Sequence, residues 1–208
     1  EVTKDGQRLA SVRAIDVSSV ALYGNVSVSA RALRGLVEDG APVTHHTYGG
    51  WLVGVTTGPG HRNAELRIRQ FAAAADPDRA LAIARRMVAG KIRNQRTLLR
   101  RNAREAVDSE RTELARIEER ALRVHDAAGL LGHEGAAARV YFSRFARLLA
   151  PPRPLPTSFV FAGRNRRPAR DPVNALLSFA YALLVREAVD ACLRVGFDPL
   201  VGVYHRPR

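Results

Sequence analysis

A chain of 208 residues, 46% of them hydrophobic, is long enough for one large domain or two small ones and can build a core, which excludes a disordered protein. Its 33 Lys and Arg against 20 Asp and Glu give a net charge of +13, an excess that favours polyanions, with nucleic acid or an anionic membrane surface as the usual candidates. No apolar run reaches the roughly 18 residues of a membrane span, and a lone cysteine, Cys192, excludes an internal disulfide and a CxxC metal site, so the default is a cytoplasmic protein without a membrane partner.

Residues 1–12 read as the end of a hairpin that lacks its first strand. From Leu9 to Val55 the apolar residues Val12, Ile15, Val17, Val20, Leu22, Val26 and Val28 are interrupted by Gly24-Asn25, and Pro42-Val43-Thr44 and Trp51–Val55 repeat the style around Gly49-Gly50. This predicts an antiparallel β-rich unit. Within it Ser29 can cap a short helix that carries Leu33, Leu36 and Val37 and ends at Gly40. Thr57-Gly58-Pro59-Gly60 breaks the chain, so residues 1–62 are expected to form one domain and 63–208 another.

After Arg62 the apolar period becomes helical. Asp76-Pro77 opens a helix with Leu81, Ala84, Val88, Ile92 and Leu99 mostly at three- and four-residue steps, and with Arg85, Arg86, Lys91, Arg93, Arg96 and Arg100 around the remainder. The next segment alternates Glu113, Arg116, Glu119, Arg120 and Arg123, the pattern of a solvent-facing helix laced by ion pairs. Residues 134–149 predict another helix and 150–170 a Pro- and Arg-rich loop. Residues 171–195 predict a third long helix, with Asp171 as N-cap, Pro172 in the first turn, and Val173, Leu176, Leu177, Ala180, Leu183 and Leu184 on its apolar face. Cys192 in that pattern reads as a buried, reduced thiol. The fold class is therefore α+β, a small N-terminal antiparallel β-domain followed by a larger all-helical domain.

Charge is unevenly distributed. Residues 1–63 carry six basic and five acidic side chains, residues 79–104 nine basic and no acidic ones, residues 105–127 four and seven, and residues 128–208 twelve and five. Within the last block, Arg164, Arg166, Arg167 and Arg170 precede the marked helix start at Asp171. Four neighbouring guanidiniums repel one another unless neutralised, and their planar forks suit phosphate oxygens. A solvated arginine loop is the alternative reading of the same residues.

Several catalytic motifs fail on spacing. Gly90-Lys91 lacks the preceding Gly and following Ser or Thr of a phosphate-binding loop, Gly58-Pro59-Gly60 lacks the third glycine of a dinucleotide fingerprint, and His133-Glu134 lacks the second histidine of HExxH. No Gly-x-Ser-x-Gly elbow is present. Glu134 remains, opening a predicted helix before the small residues Gly135 to Ala138 and before Arg139 and Arg144. A carboxylate so placed is stabilised by the helix dipole, by about 0.3–1 kcal/mol when exposed, which is a sufficient structural reason for it.

The stretch from Gly163 to Leu184, GRNRRPxRDPVNALLSFxYALL, resembles the core signature of the CRISPR spacer-acquisition integrases, the family called Cas-one. Leu22–Ser29, Gly90–Gln95 and Glu134–Phe142 fit the same family in the same order, so the resemblance covers nearly the whole chain. It implies a small β-domain that dimerises and a helical domain that holds the active site. It further implies that Glu134 and His205, in Gly202-Val203-Tyr204-His205, are catalytic metal ligands for Mg²⁺ or Mn²⁺, with a third ligand, an aspartate, beyond Arg208. His45, His46, His61, His125 and His133 match no ligand position. The implied reaction is the attack of a DNA 3′-hydroxyl on a phosphodiester, inserting a short duplex into a repeat array, with endonuclease and disintegration activity by the same chemistry. Arg93, Arg96, Arg100, Arg139, Arg164, Arg166, Arg167 and Arg170 are the candidates for DNA contact. Implied partners are double-stranded prespacer and repeat DNA, a second copy of the chain, the small Cas-two protein, and the Cas-four nuclease if the chain is part of a fusion. Both ends look cut, as in a fragment of a longer chain. The alternatives are a non-catalytic basic nucleic-acid-binding module and a structural part of a larger adaptation complex.

Overall fold

The computed structural model describes residues 1–58, 64–103, 106–149, 159–165 and 168–205. It is α+β, with all strands before Gly58 and long helices after Arg62. Its contacts divide it into two units, one of residues 1–70 and 179–200, the other of residues 71–178 and 201–208. The division is therefore not a single cut after residue 62, because the last long helix contributes to both units. No described helix is long and apolar enough to cross a membrane.

In the first unit, β1 (Val2–Lys4) and β2 (Gln7–Ala10) pair antiparallel. Asp5 and Gly6 join them with φ of 51° and 76°, the left-handed pair that an Asp-Gly hairpin turn requires. Both strands of this hairpin thus lie within residues 1–12, where the sequence reading expected only one. A second sheet has the order β3 (Val20–Tyr23), β4 (Val43–His46), β5 (Leu52–Thr56). β4 and β5 are antiparallel as expected, but β3 and β4 run parallel, with Val20 opposite Val43 and Tyr23 opposite His46. The cause is α1 (Ala30–Glu38) between them, since a helical crossover returns the chain to the sheet in its original direction whereas a tight turn reverses it. Ser29 caps α1 as predicted, its Oγ accepting from the Ala32 amide at 3.2 Å. Gly24, just after β3, has φ of +66°, and a Cβ there would fall 2.5 Å from the Tyr48 ring, so this position needs glycine for conformation and for space.

Two helices also belong to this unit in part, α2 (Ala64–Ala75) and α6 (Pro172–Val195). Gln70 brackets the backbone of Asp198, donating to its carbonyl at 2.8 Å and accepting from its amide at 2.9 Å, and Arg186 donates to the Tyr23 hydroxyl at 3.1 Å. Cys192 is a free thiol, partly exposed where burial was expected.

The second unit is built on α3 (Pro77–Asn102), α4 (Asp108–Arg123) and α5 (Ala127–Ser143). Asp76 caps α3, accepting from the Asp78 and Arg79 amides at 3.0 and 3.2 Å. Ala84, Val88, Ile92 and Leu99 of α3 pack with Leu114, Ile117 and Ala121 of α4 and with Leu130, Ala137 and Tyr141 of α5. The i, i+4 rhythm that predicted α3 is its buried face. α4 carries the expected ion pairs within the helix, among them Arg116 and Arg120 with Glu113 and Arg123 with Glu119, on its outer side. Its inner face is core, so it is amphipathic and not solvent-facing all round.

Candidate active site

α5 begins at Ala127, with Asp126 as its N-cap accepting from the Gly129 amide at 2.7 Å. Glu134 therefore lies two turns inside the helix, and the dipole argument for it does not apply. Gly129, Gly132 and Gly135 disguise the helix start, because glycine lowers helix propensity in any reading of sequence alone. What holds Glu134 is a cation from another helix: the Lys91 ammonium on α3 donates to its Oε1 at 2.6 Å. The Glu134 side chain keeps 19% of its surface exposed and that of Lys91 keeps 44%.

The chain returns to this carboxylate at Tyr204 and His205. The two rings pack at 4.6 Å between centroids, and His205 lies near enough to Glu134 to favour its ionised form. The Tyr204 hydroxyl is buried and turned toward the carboxylate without forming a well-aligned hydrogen bond. Burial raises the Glu134 carboxyl pKa, but the Lys91 hydrogen bond and charge, helped by Tyr204 and His205, outweigh it and hold the group below its ordinary range. Burial and the adjacent carboxylate push the Tyr204 phenol up. At neutral pH the site is thus a carboxylate beside a neutral phenol, an imidazole and a lysine. Among the described residues no cluster of three or more His, Cys, Asp or Glu side chains is poised for a metal ion.

Because the folded pKa of Glu134 is depressed, its ionised form stabilises the fold above the ordinary carboxylate range, and that contribution is lost as pH falls through the lowered value. Lys91→Met leaves the burial and removes the main opposing cation. The Glu134 titration midpoint, followed by carbon NMR of the carboxyl, is expected to move up. An unchanged midpoint would show that Lys91 does not set the ionisation of the site.

The arginines proposed for DNA separate into distinct environments. Arg93 and Arg96 on α3 both reach Glu118 of α4, at 2.8 and 3.4 Å, so their charge is partly neutralised by a carboxylate that is only 7% exposed. Arg100 and Arg139 are exposed, and neither has an ion pair among the described residues. Arg164 is turned inward: its guanidinium donates to Asn174 Oδ1 at 2.8 Å and to Ser178 Oγ at 3.2 Å, which makes it a brace for the loop. The Arg170 side chain is exposed while its amide is fixed by Asn165 Oδ1 at 2.8 Å. Arg166 and Arg167 lie outside the described residues.

Asn174 organises this loop, a role that its place in the helix start does not reveal. It is fully buried. Its Oδ1 accepts from Arg164 and from the Asn165 amide at 3.0 Å, and its Nδ2 donates to the Gly163 carbonyl at 2.8 Å and to Asp171 Oδ2 at 2.7 Å. Asp171 Oδ1 takes the Asn174 amide at 2.8 Å, confirming Asp171 as the cap of α6, and its carboxyl is held below the usual range chiefly by the Asn174 side chain. Asn174, Lys91 and Tyr204 are the site residues that sequence reading missed. Each stands inside or beside a segment already singled out, but nothing in one dimension shows that Lys91 meets Glu134.

A family model for CRISPR associated protein Cas1 matches residues 1–208. The chain is 43% identical over 213 residues to a CRISPR-associated exonuclease Cas4/endonuclease Cas1 fusion of Geobacter sulfurreducens, covering 100% of this chain and 38% of that protein. It is 41% identical over 195 residues to a CRISPR-associated endonuclease Cas1 of Thermus thermophilus, covering 93% of this chain and 55% of that protein. Among solved structures, a Cas6-RT-Cas1–Cas2 complex contains a chain matching at a TM-score of 0.76 and 29% identity, covering 99% of this chain and 22% of that one. The chain thus spans well under two thirds of the length of each of these relatives.

Proposed function

From the premise that this chain belongs to the Cas1 family of CRISPR-associated proteins, we propose that it forms part of a CRISPR adaptation integrase. Such an enzyme inserts short DNA duplexes into a repeat array through attack of a DNA 3′-hydroxyl on a phosphodiester, and the same chemistry supports endonuclease and disintegration activity. The observation that carries the reading is the meeting of Glu134 with Tyr204 and His205, residues distant in sequence, around a carboxylate kept ionised by Lys91.

A carboxylate oxygen and an imidazole nitrogen are suitable donors for Mg²⁺ or Mn²⁺, and the lowered pKa of Glu134 supports its being in the ionised form that such an ion needs. We assign Glu134 and His205 as two ligands, with an aspartate beyond Arg208 as the third. A divalent ion held there supplies Lewis-acid polarisation of the scissile phosphate and stabilisation of the developing charge. Lys91 keeps Glu134 deprotonated and able to donate. The buried Tyr204 hydroxyl is a neutral donor that can orient the carboxylate. Arg100, Arg139 and Arg170, with Arg166 and Arg167, would hold the DNA backbone.

The partners follow the same reading: double-stranded prespacer and repeat DNA, Cas2, and Cas4 where the two are fused, as in the Geobacter relative's name. A second copy of this chain would dock through the β-rich unit, where Ile15, Tyr48 and Val53 are 84%, 81% and 71% exposed. The test is a disintegration and strand-transfer assay with the full-length protein and branched DNA. Activity is expected with Mn²⁺ or Mg²⁺ and none with EDTA. DNA binding without any metal-stimulated cleavage would select the non-catalytic module instead.

A further inference from the structure

Between α3 and α4 lies a cleft of about 370 Å³, at the small end of ligand pockets, lined by Arg96, Thr97 and Arg100 from one helix and by Asp108, Arg111 and Thr112 from the other. We propose that this cleft is a binding site for a phosphate group, with Arg100 and Arg111 as its principal cations and the Thr97 and Thr112 hydroxyls as neutral donors.

Charge balance comes first. Three guanidiniums face one lining carboxylate, that of Asp108, which accepts from an Arg111 terminal nitrogen at 2.8 Å. Arg96 has a further share in Glu118 at 3.4 Å, but Arg100 has no partner among the described residues and stands exposed. The donors also outnumber the acceptors. Arg111 Nε is buried with no hydrogen-bond acceptor, a state that a ligand oxygen would relieve.

The third observation is the start of α4. Its first turn contributes Asp108 and Arg111 to the cleft, and Val107, at the N-cap position, provides no side-chain cap for the free amides. The uncapped amides add a positive field that the first-turn carboxylates of Asp108 and Glu110 offset in part, so the arginines remain the principal cations. Several fork-shaped donors and two hydroxyls around a small space match the tetrahedral oxygens of phosphate better than a planar carboxylate. A backbone phosphodiester of DNA and a free phosphate ligand share this chemistry. Assigning the former rests on the function proposed above, whereas the site itself does not.

The experiment uses the 208-residue chain with methyl-labelled threonine, titrated at constant ionic strength with inorganic phosphate in one arm and with a short DNA duplex in the other. The Thr97 and Thr112 methyl resonances are expected to shift saturably. Arg100→Gln, which touches no partner needed for folding, and Arg111→Lys, which keeps the charge but loses the fork, should each weaken phosphate binding roughly tenfold. In the duplex arm Arg100→Gln should reduce the slope of log K against log salt by about 1. Shifts in both arms assign the phosphate to DNA, and shifts with inorganic phosphate alone assign it to a free ligand. No saturable shift in either arm overturns the site. Retained phosphate binding by the chain, with the full-length protein failing the metal-dependent assay, would overturn the integrase reading and leave the cleft standing.

Discussion

Glu134→Gln is expected to lower metal-dependent DNA cleavage and strand transfer by the full-length protein at least about a hundredfold, the upper end of what loss of a supporting residue around a metal costs. The substitution keeps the size of the side chain and removes its charge. The amide still accepts a hydrogen bond from Lys91, and Lys91 is 44% exposed, so its ammonium can turn to water. The melting temperature should accordingly change by no more than a few degrees. The pairing of near-native stability with lost turnover separates a ligand from a structural carboxylate. Turnover within a fewfold of the parent would remove Glu134 from the chemistry. His205→Ala is expected to act in the same direction, and because the residue is exposed its loss should disturb the fold even less.

The largest effect on stability should come from Asn174→Asp, an isosteric change that tests polarity without creating a cavity. Asn174 Nδ2 stands 2.7 Å from Asp171 Oδ2 and 2.8 Å from the Gly163 carbonyl. Neighbours on both sides fix the amide orientation, since Oδ1 already accepts from Arg164 and the Asn165 amide. An aspartate would set a second carboxylate oxygen against two acceptors in a fully buried position. Loss of two buried hydrogen bonds with added repulsion is expected to cost about 3 kcal/mol, or roughly 10 °C in the melting temperature of the helical unit. The same variant should weaken duplex binding, because Asn174 holds the loop that displays Arg170. A melting temperature within a degree or two of the parent would show that the network is dispensable.

These two residues illustrate different distances between sequence and site. Asp171 could be recognised as a cap because capping is local: a carboxylate, a proline and an apolar period are all the physics it needs. Asn174, three residues on, has two such local bonds, both to Asp171, and its burial and its hold on Arg164 arise only when the loop folds back. The four-arginine motif was accordingly visible as a cluster of charge, but the inward turn of Arg164 was not. Charge is a property of composition, whereas which guanidinium meets solvent is a property of packing.

What the sequence determined by itself was everything set by short-range chemistry. Examples are the Ser29 and Asp76 caps, the buried i, i+4 stripe of α3, the change from strand-like to helical period near residue 62, and a resemblance dense enough to name a family. Tertiary structure decided the rest. The parallel pairing of β3 with β4 depends on what the crossover helix does to chain direction, and the start of α5 at Ala127 depends on packing Leu130 into a core that overrides three glycines. The ionisation of Glu134 depends on Lys91, Tyr204 and His205, and the unneutralised charge of the α3–α4 cleft depends on the Glu118 carboxylate being taken up by Arg93 and Arg96, which leaves Arg100 without a partner among the described residues. Burial and electrostatic fields are sums over neighbours in space, and a linear sequence names the residues without saying which of them will be neighbours.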